Sequence, residues 1–195
     1  MKKIVLSVVA LLFALNLSAQ GHWGIKAGVN LPSDLKVGTG QDRKDAWNGR
    51  TGWHAGLVLQ ANIPVIGLSI QPELLYSTTK YGITNTNYNM EFSHLELPVN
   101  IQWGIDLLLL RPFVVAAPYI NYCVKYGGEW VKNNDVKWND FGYGIGLGAG
   151  IEIWRLQIMG KYNWSFGNLG KVEKSDWDLD KSKLNNFQLS VAILF

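Results

Sequence analysis

The sequence predicts an all-β chain, eight antiparallel strands closed into a transmembrane up-and-down β-barrel. Three observations predict it. Apolar residues alternate with polar or tiny ones at a period of two, the spacing of a strand. The alternating segments are long, and the connections between them are by turns long and short. Aromatic side chains gather at the segment ends.

The first nineteen residues, MKKIVLSVVALLFALNLSA, stand apart. Lys2 and Lys3 precede an apolar run from Ile4 to Leu15, followed by the small residues Ser18 and Ala19. That order is the one of a secretory signal peptide, with cleavage expected after Ala19. The run falls short of the ~20 residues of a membrane helix, and no later stretch approaches that length. Residues 1–19 are therefore read as the signal and 20–195 as one barrel domain. The single cysteine, Cys123, allows no intramolecular disulfide, so an exported chain must draw its stability from a completed sheet or a membrane. Losing Lys2 and Lys3 lowers the formal charge from +3 to +1, and no basic stripe with interleaved aromatics appears. Nucleic acid is not an expected partner.

Eight strands are expected at 23–31, 51–61, 67–78, 90–103, 110–124, 140–153, 156–168 and 185–195. In the second, Trp53, Ala55, Leu57, Leu59 and Ala61 oppose His54, Gly56 and Gln60. In the fourth, Leu95, Leu97, Val99, Ile101 and Trp103 oppose His94, Glu96, Asn100 and Gln102. The sixth sets Phe141, Tyr143, Ile145, Leu147, Ala149, Ile151 and Ile153 against a row of glycines and Glu152. In the last, Phe187, Leu189, Val191, Ile193 and Phe195 oppose Gln188, Ser190 and Ala192.

Alternation alone also fits a soluble lipocalin-like barrel with its apolar face inside. Length argues for the membrane: most segments match or exceed the ~9–11 residues that cross a bilayer at a tilt. So do the connections. Residues 32–50, 79–89, 125–139 and 169–184 form four long polar loops, and 62–66, 104–109 and 154–155 three short turns. Long loops on one rim and short turns on the other is the outer-membrane arrangement, with both mature termini on the periplasmic short-turn side. Trp23, Trp103, Trp154 and Phe195 fall near that rim, and Trp53, Tyr76, Tyr162 and Trp164 toward the other, as paired interfacial girdles would.

Four segments carry a resemblance: GHWGIKAGVNL, RPFVVAAPYINYCV, DFGYGIGLGAGIEI and NNFQLSVAILF. In their order and spacing, over nearly all of residues 20–195, the chain resembles the outer-membrane barrel domain of the porin-family or PorT-like proteins of diderm bacteria. The resemblance implies a C-terminal signal, ending in Phe195, that the barrel-insertion machinery reads. Such families include structural barrels and a component of a protein-secretion apparatus, and the resemblance does not choose between them.

An eight-stranded barrel is just wide enough for side chains to fill. With the apolar face outward, Lys26, Glu73, Glu96, Arg111, Glu152 and Lys161 point into the lumen. Buried charges are costly unless paired, so they are expected to form a hydrogen-bonded plug with His54, His94, Gln60, Gln71, Asn100 and Gln157. The glycines from 142 to 150 are expected to make room for Phe113 and Tyr119. The same spacing is not a phosphate loop, which follows a strand and opens a helix.

Catalytic and metal readings are weaker. Ser93 points away from His94 and Glu96 on the same strand, though Ser69 or Ser77 could still join them as a lipid hydrolase would need. Asp176, Asp178 and Asp180 alternate in SDWDLDKSK without the glycine and glutamate of a calcium loop. No catalytic residue, cofactor or metal is expected. Trp47, Trp130, Trp138 and Trp177 sit among the mixed charges of the long loops and are candidate contact anchors. Loop lysines and arginines could pair with lipopolysaccharide phosphates. The expectation is a non-enzymatic outer-membrane barrel that anchors and displays its loops to lipid, lipopolysaccharide, and envelope or secretion proteins. A narrow channel and a lipid-modifying enzyme are the alternatives.

Overall fold

A computed structural model describes residues 21–32, 35–37, 44–63, 67–82, 89–127, 136–138, 141–166, 170–172 and 185–195. The expected signal, residues 1–19, lies outside them. Twelve strands run through these residues: β1 (Gly21–Pro32), β2 (Leu35–Val37), β3 (Lys44–Arg50), β4 (Gly52–Ile63), β5 (Leu68–Gly82), β6 (Asn89–Gly104), β7 (Leu110–Gly127), β8 (Val136–Trp138), β9 (Phe141–Ile153), β10 (Leu156–Ser165), β11 (Gly170–Val172) and β12 (Asn186–Leu194).

Eight of the twelve form the barrel. Around the ring the order is β1, β4, β5, β6, β7, β9, β10, β12, every neighbouring pair antiparallel. The ring closes where β1 meets β12, from Gly24 opposite Leu194 to Pro32 opposite Asn186. Closure satisfies backbone groups that lipid cannot, and it leaves the barrel no open edge.

The alternation places side chains as the period demands. On β12, Asn186, Gln188, Ser190, Ala192 and Leu194 are buried, while Phe187, Leu189, Val191 and Ile193 are exposed. Trp53 and Leu57 on β4, and Ile101 and Trp103 on β6, face outward in the same way. Not every inward position is polar: Val58, Leu75, Val115 and Met159 are also buried. At the short-turn rim Trp23 and Phe195 stack with ring centroids 4.7 Å apart. Toward the other rim Trp53 lies 5.7 Å from Tyr76, and Tyr162 packs edge-on against Trp164 at 4.7 Å.

Two features differ from the sequence reading. First, the long connections are not all loop. β3 pairs with β5 from Asn48 opposite Gly82 to Arg50 opposite Lys80, and β2 folds back on β3. β8 and β11 pair with each other, which ties the third long connection to the fourth. Segments such as KDAWNGR carry no apolar alternation to read. Second, a register shift at Ser93/His94 gives β7 one extra residue against β6, Val124, a bulge that twists the upper wall.

Two of the short turns are tight: Leu108 and Leu109 alone separate the paired Leu107 and Leu110, and Trp154 and Arg155 alone separate β9 from β10. Gly67, at φ +67°, closes the β4–β5 connection, where a Cβ would stand 2.2 Å from the Gly104 carbonyl oxygen. Only glycine fits there.

Candidate functional site

The inward rows bring charged and amide side chains from every barrel strand into one lumen. Nearest the short-turn rim lies a layer of long amides. Gln71 of β5 and Gln157 of β10 exchange amide hydrogen bonds of 3.1 Å, and Gln102 donates to Gln71 Oε1 at 2.8 Å. Gln60 of β4 donates to Glu152 Oε2 of β9 at 3.0 Å. Arg111 completes the layer: its Nη2 donates to Ser69 Oγ at 2.7 Å and to the Gly67 carbonyl at 3.0 Å. Its other nitrogens lie 3.6 Å from Glu152 and 3.4 Å from Asp106. Below this layer the mouth opens into a cavity of about 670 Å³, walled by Ile63, Leu107–Leu110 and Trp154 and floored by Ser69, Arg111 and Glu152.

Deeper in, Lys26 and Glu73 form a fully buried ion pair, with Gln71 donating to the same carboxylate oxygen at 2.6 Å. A buried pair of this kind resists separation because either partner alone would be a bare charge. Glu96 of β6 accepts from Gln188 of β12 at 3.2 Å and stands 3.8 Å from His94 Nε2. Lys161 departs from the expected pairing. Its ammonium is buried without a hydrogen-bond partner among the described residues, as are Glu73 Oε2, Asn100 Oδ1 and Asn163 Oδ1.

Near the long-loop end, His54 is held on both nitrogens. Nδ1 stands 2.8 Å from Asn30 Oδ1 and Nε2 2.9 Å from Ser190 Oγ. Asn30 is itself oriented, since its Nδ2 donates to the Thr78 carbonyl at 2.9 Å and to Ser77 Oγ at 2.8 Å. In the neutral ring Nδ1 then carries the proton and Nε2 accepts from the serine hydroxyl. His54 crosses β1 to reach β12 over Gly28, where a Cβ would stand 2.6 Å from the imidazole.

Serine, histidine and asparagine in this order resemble a nucleophile, its base and an orienting group. All three are at most 3% exposed, however, and the mouth cavity lies at the other end of the barrel. The arrangement clamps three strands. Sequence reasoning singled out His54 but missed Asn30 and Ser190, because the contact joins residues 136 positions apart and depends on register around the ring. The inward parity of all three positions was the available signal. The sequence had instead raised Ser69 or Ser77 as partners of His94. Ser77 lies directly across from His94 in the β5–β6 register, but it accepts from Asn30, and Ser69 is taken by Arg111 and Asn62.

The opposite side of the lumen is packed differently. Phe113, Val115, Ala117 and Met159 form a buried apolar cluster. On β9 a Cβ at Gly150 would stand 2.4 Å from the Phe113 ring, and one at Gly144 would stand 2.5 Å from the Tyr119 hydroxyl. Gly144 and Gly150 leave the space those two rings occupy, while Asn121 lies over Gly142 and Asn163 and Lys161 over Gly146.

Of the loop tryptophans, Trp47 falls in β3 and Trp138 in β8, while Trp130 and Trp177 lie outside the described residues, as do Asp176, Asp178 and Asp180.

The chain is similar to the attachment invasion locus protein Ail of Yersinia pestis (13% identity, TM-score 0.42, covering 90% of this chain and 99% of that one). It is similar to Neisserial surface protein A (11%, 0.46, 89% and 97%). A major outer membrane protein from Thermus thermophilus gives 12% and 0.47, with 90% and 99% covered. No curated protein matches the sequence. The family model described as outer membrane protein beta-barrel domain matches residues 18–171. With an antiparallel ring of eight strands and an apolar exterior, the chain belongs to the outer membrane protein beta-barrel domain family, and its place is the bacterial outer membrane.

Proposed function

We propose that the protein is a non-enzymatic outer-membrane anchor, plugged by its own side chains, that holds its long-loop rim at the cell surface. In this reading the short turns and both mature termini face the periplasm. The barrel-insertion machinery reads the Phe195 end, and the surface partners are lipopolysaccharide and other envelope or secretion proteins.

The observation that carries the plug is cross-bracing. Gln60 to Glu152, Gln71 to Gln157 and Gln188 to Glu96 each join strands four apart in the ring of eight, which are opposite walls. Direct bonds across the lumen leave no open water column along those lines. Display is supported by the uneven height of the wall. β5, β6 and β7 have 15, 16 and 18 residues against 9 in β12. Fully extended, β7 spans about 60 Å, well beyond a ~30 Å hydrocarbon core even when tilted.

Planar-bilayer recording of the refolded barrel tests the plug: the expected result is no steady conductance, and a stable open channel overturns it. A deletion strain tests the role. Envelope fragility with normal secretion supports the anchor. Loss of a secreted protein with an intact envelope favours instead the secretion apparatus that a PorT-like resemblance implies.

A further inference from the structure

The turn between β6 and β7 is built against its own sequence preferences. Leu107 and Leu110 exchange backbone hydrogen bonds of 2.9 and 2.8 Å, leaving Leu108 and Leu109 as a two-residue loop. Leu108 sits at φ 39°, in the left-handed region. Loops of this kind take Asn, Asp or Gly, and a side chain branched beyond Cβ gains nothing there. Leu108 is also wholly exposed and Leu109 is 75% exposed. The neighbouring turn repeats the anomaly, with Trp154 at φ 54° and 80% exposed. The Trp154 amide donates to the Leu109 carbonyl at 3.3 Å, which joins the two turns into one ledge. Asn-Gly at 108–109 would relieve both the strain and the exposure. Four consecutive leucines do neither unless something apolar covers them.

We propose that this ledge is immersed in the membrane leaflet beside the short-turn rim, and that its occupant is lipid. The case rests on continuity. Along β6 and into the turn, Leu95, Ile101, Trp103, Ile105 and Leu107 stay exposed with no polar break, so the ledge prolongs the face that meets hydrocarbon. Charge agrees. Asp106, the one acid of the turn, stands 3.4 Å from Arg111 Nε, a cation it shares with Glu152. Arg155 lies exposed beside the Trp154 ring, 5.3 Å from its centroid. An aromatic ring next to a cation is the chemistry of the headgroup level. The inner side of the ledge borders the polar mouth floored by Ser69, Arg111 and Glu152, and its outer side merges with the lipid-facing band.

An environment-sensitive dye on Leu108→Cys, in a Cys123→Ser background, tests the idea in phosphatidylcholine/phosphatidylglycerol vesicles holding one barrel each. Boiling-dependent gel mobility verifies folding. Blue-shifted emission, quenched by acyl-brominated lipid and spared by aqueous iodide, is the expected result. Emission as in water overturns it, as does protection that appears only when barrels are crowded, which would assign the ledge to a second copy. A second variant, Leu108→Asn with Leu109→Gly, separates lipid contact from turn geometry. Its urea midpoint should hold or rise in detergent micelles and fall in vesicles. The same shift in both media overturns the proposal.

Discussion

On the β7–β9–β10 side of the lumen, Phe113 and Tyr119 press against Gly150 and Gly144, and Met159 packs in the apolar cluster with Phe113. On the side built from β1, β4, β5 and β6, hydrogen bonds join Lys26, Glu73, Gln71 and Gln102, Gln60 reaches Glu152, and His54 is held by Asn30 and Ser190. Both regions line the same lumen, by different physics. The apolar side is specified by shape, and each large ring has a missing Cβ opposite it. The polar side is specified by partner count, and its bonds reach to the far wall. Shape tolerates few changes in volume but is indifferent to charge. A bonded network tolerates an isosteric apolar pair yet suffers when one partner is left alone.

Three measurements would break or sharpen that contrast, each by urea titration of the refolded barrel. The largest effect is expected at the ion pair. Lys26→Met takes away the cation bonded to Glu73, leaving only the Lys161 ammonium near it, and should cost about 3–5 kcal/mol, whereas Lys26→Met with Glu73→Met should recover most of it. If the double variant is as damaged as the single one, pairing is not what holds the polar side. Next comes Gly150→Val, which drives carbon into the Phe113 ring and the Ile158 carbonyl, at about 1–3 kcal/mol. Adding Phe113→Ala should return part of that loss, and failure to do so would mean that the strand, not the ring, needs the glycine. The smallest effect is expected outside the lumen. Lys80 and Glu91 stand 3.6 Å apart with both side chains nearly half exposed, so Glu91→Gln should change stability by about 0.5 kcal/mol or less. A larger loss would show that the extended β5–β6 wall is held together by its surface charges.

How much of this was legible in the sequence follows from which contacts are local. The barrel, its strand count and its outward face were readable because period two is a property of each strand alone. The glycine row was readable with them, and the rings set against Gly144 and Gly150 were named from the same parity. Cross-lumen partners were not. Whether Glu96 meets Gln188 or Lys161 depends on how far each strand is staggered, and no single segment encodes stagger. Lys161 was expected to be paired by charge balance, yet equal numbers of charges do not ensure that they meet. β2, β3, β8 and β11 escaped for another reason. Their pairing is made by backbone groups in segments such as KDAWNGR, where side chains follow no apolar alternation.

The seam between β1 and β12 has a consequence for how the chain reaches this state. Gly24 bonds opposite Leu194, so the last pairing joins residues from the two ends of the domain. Such a contact has the largest loop to close, and it is expected to be the slow step of assembly. Until it forms, the sheet has two bare edges, each able to pair with another chain. A chain emerging into the envelope one end first therefore cannot finish folding segment by segment. It must be held unpaired until β12 arrives, and the rate at which the seam zips sets how long it stays open to aggregation.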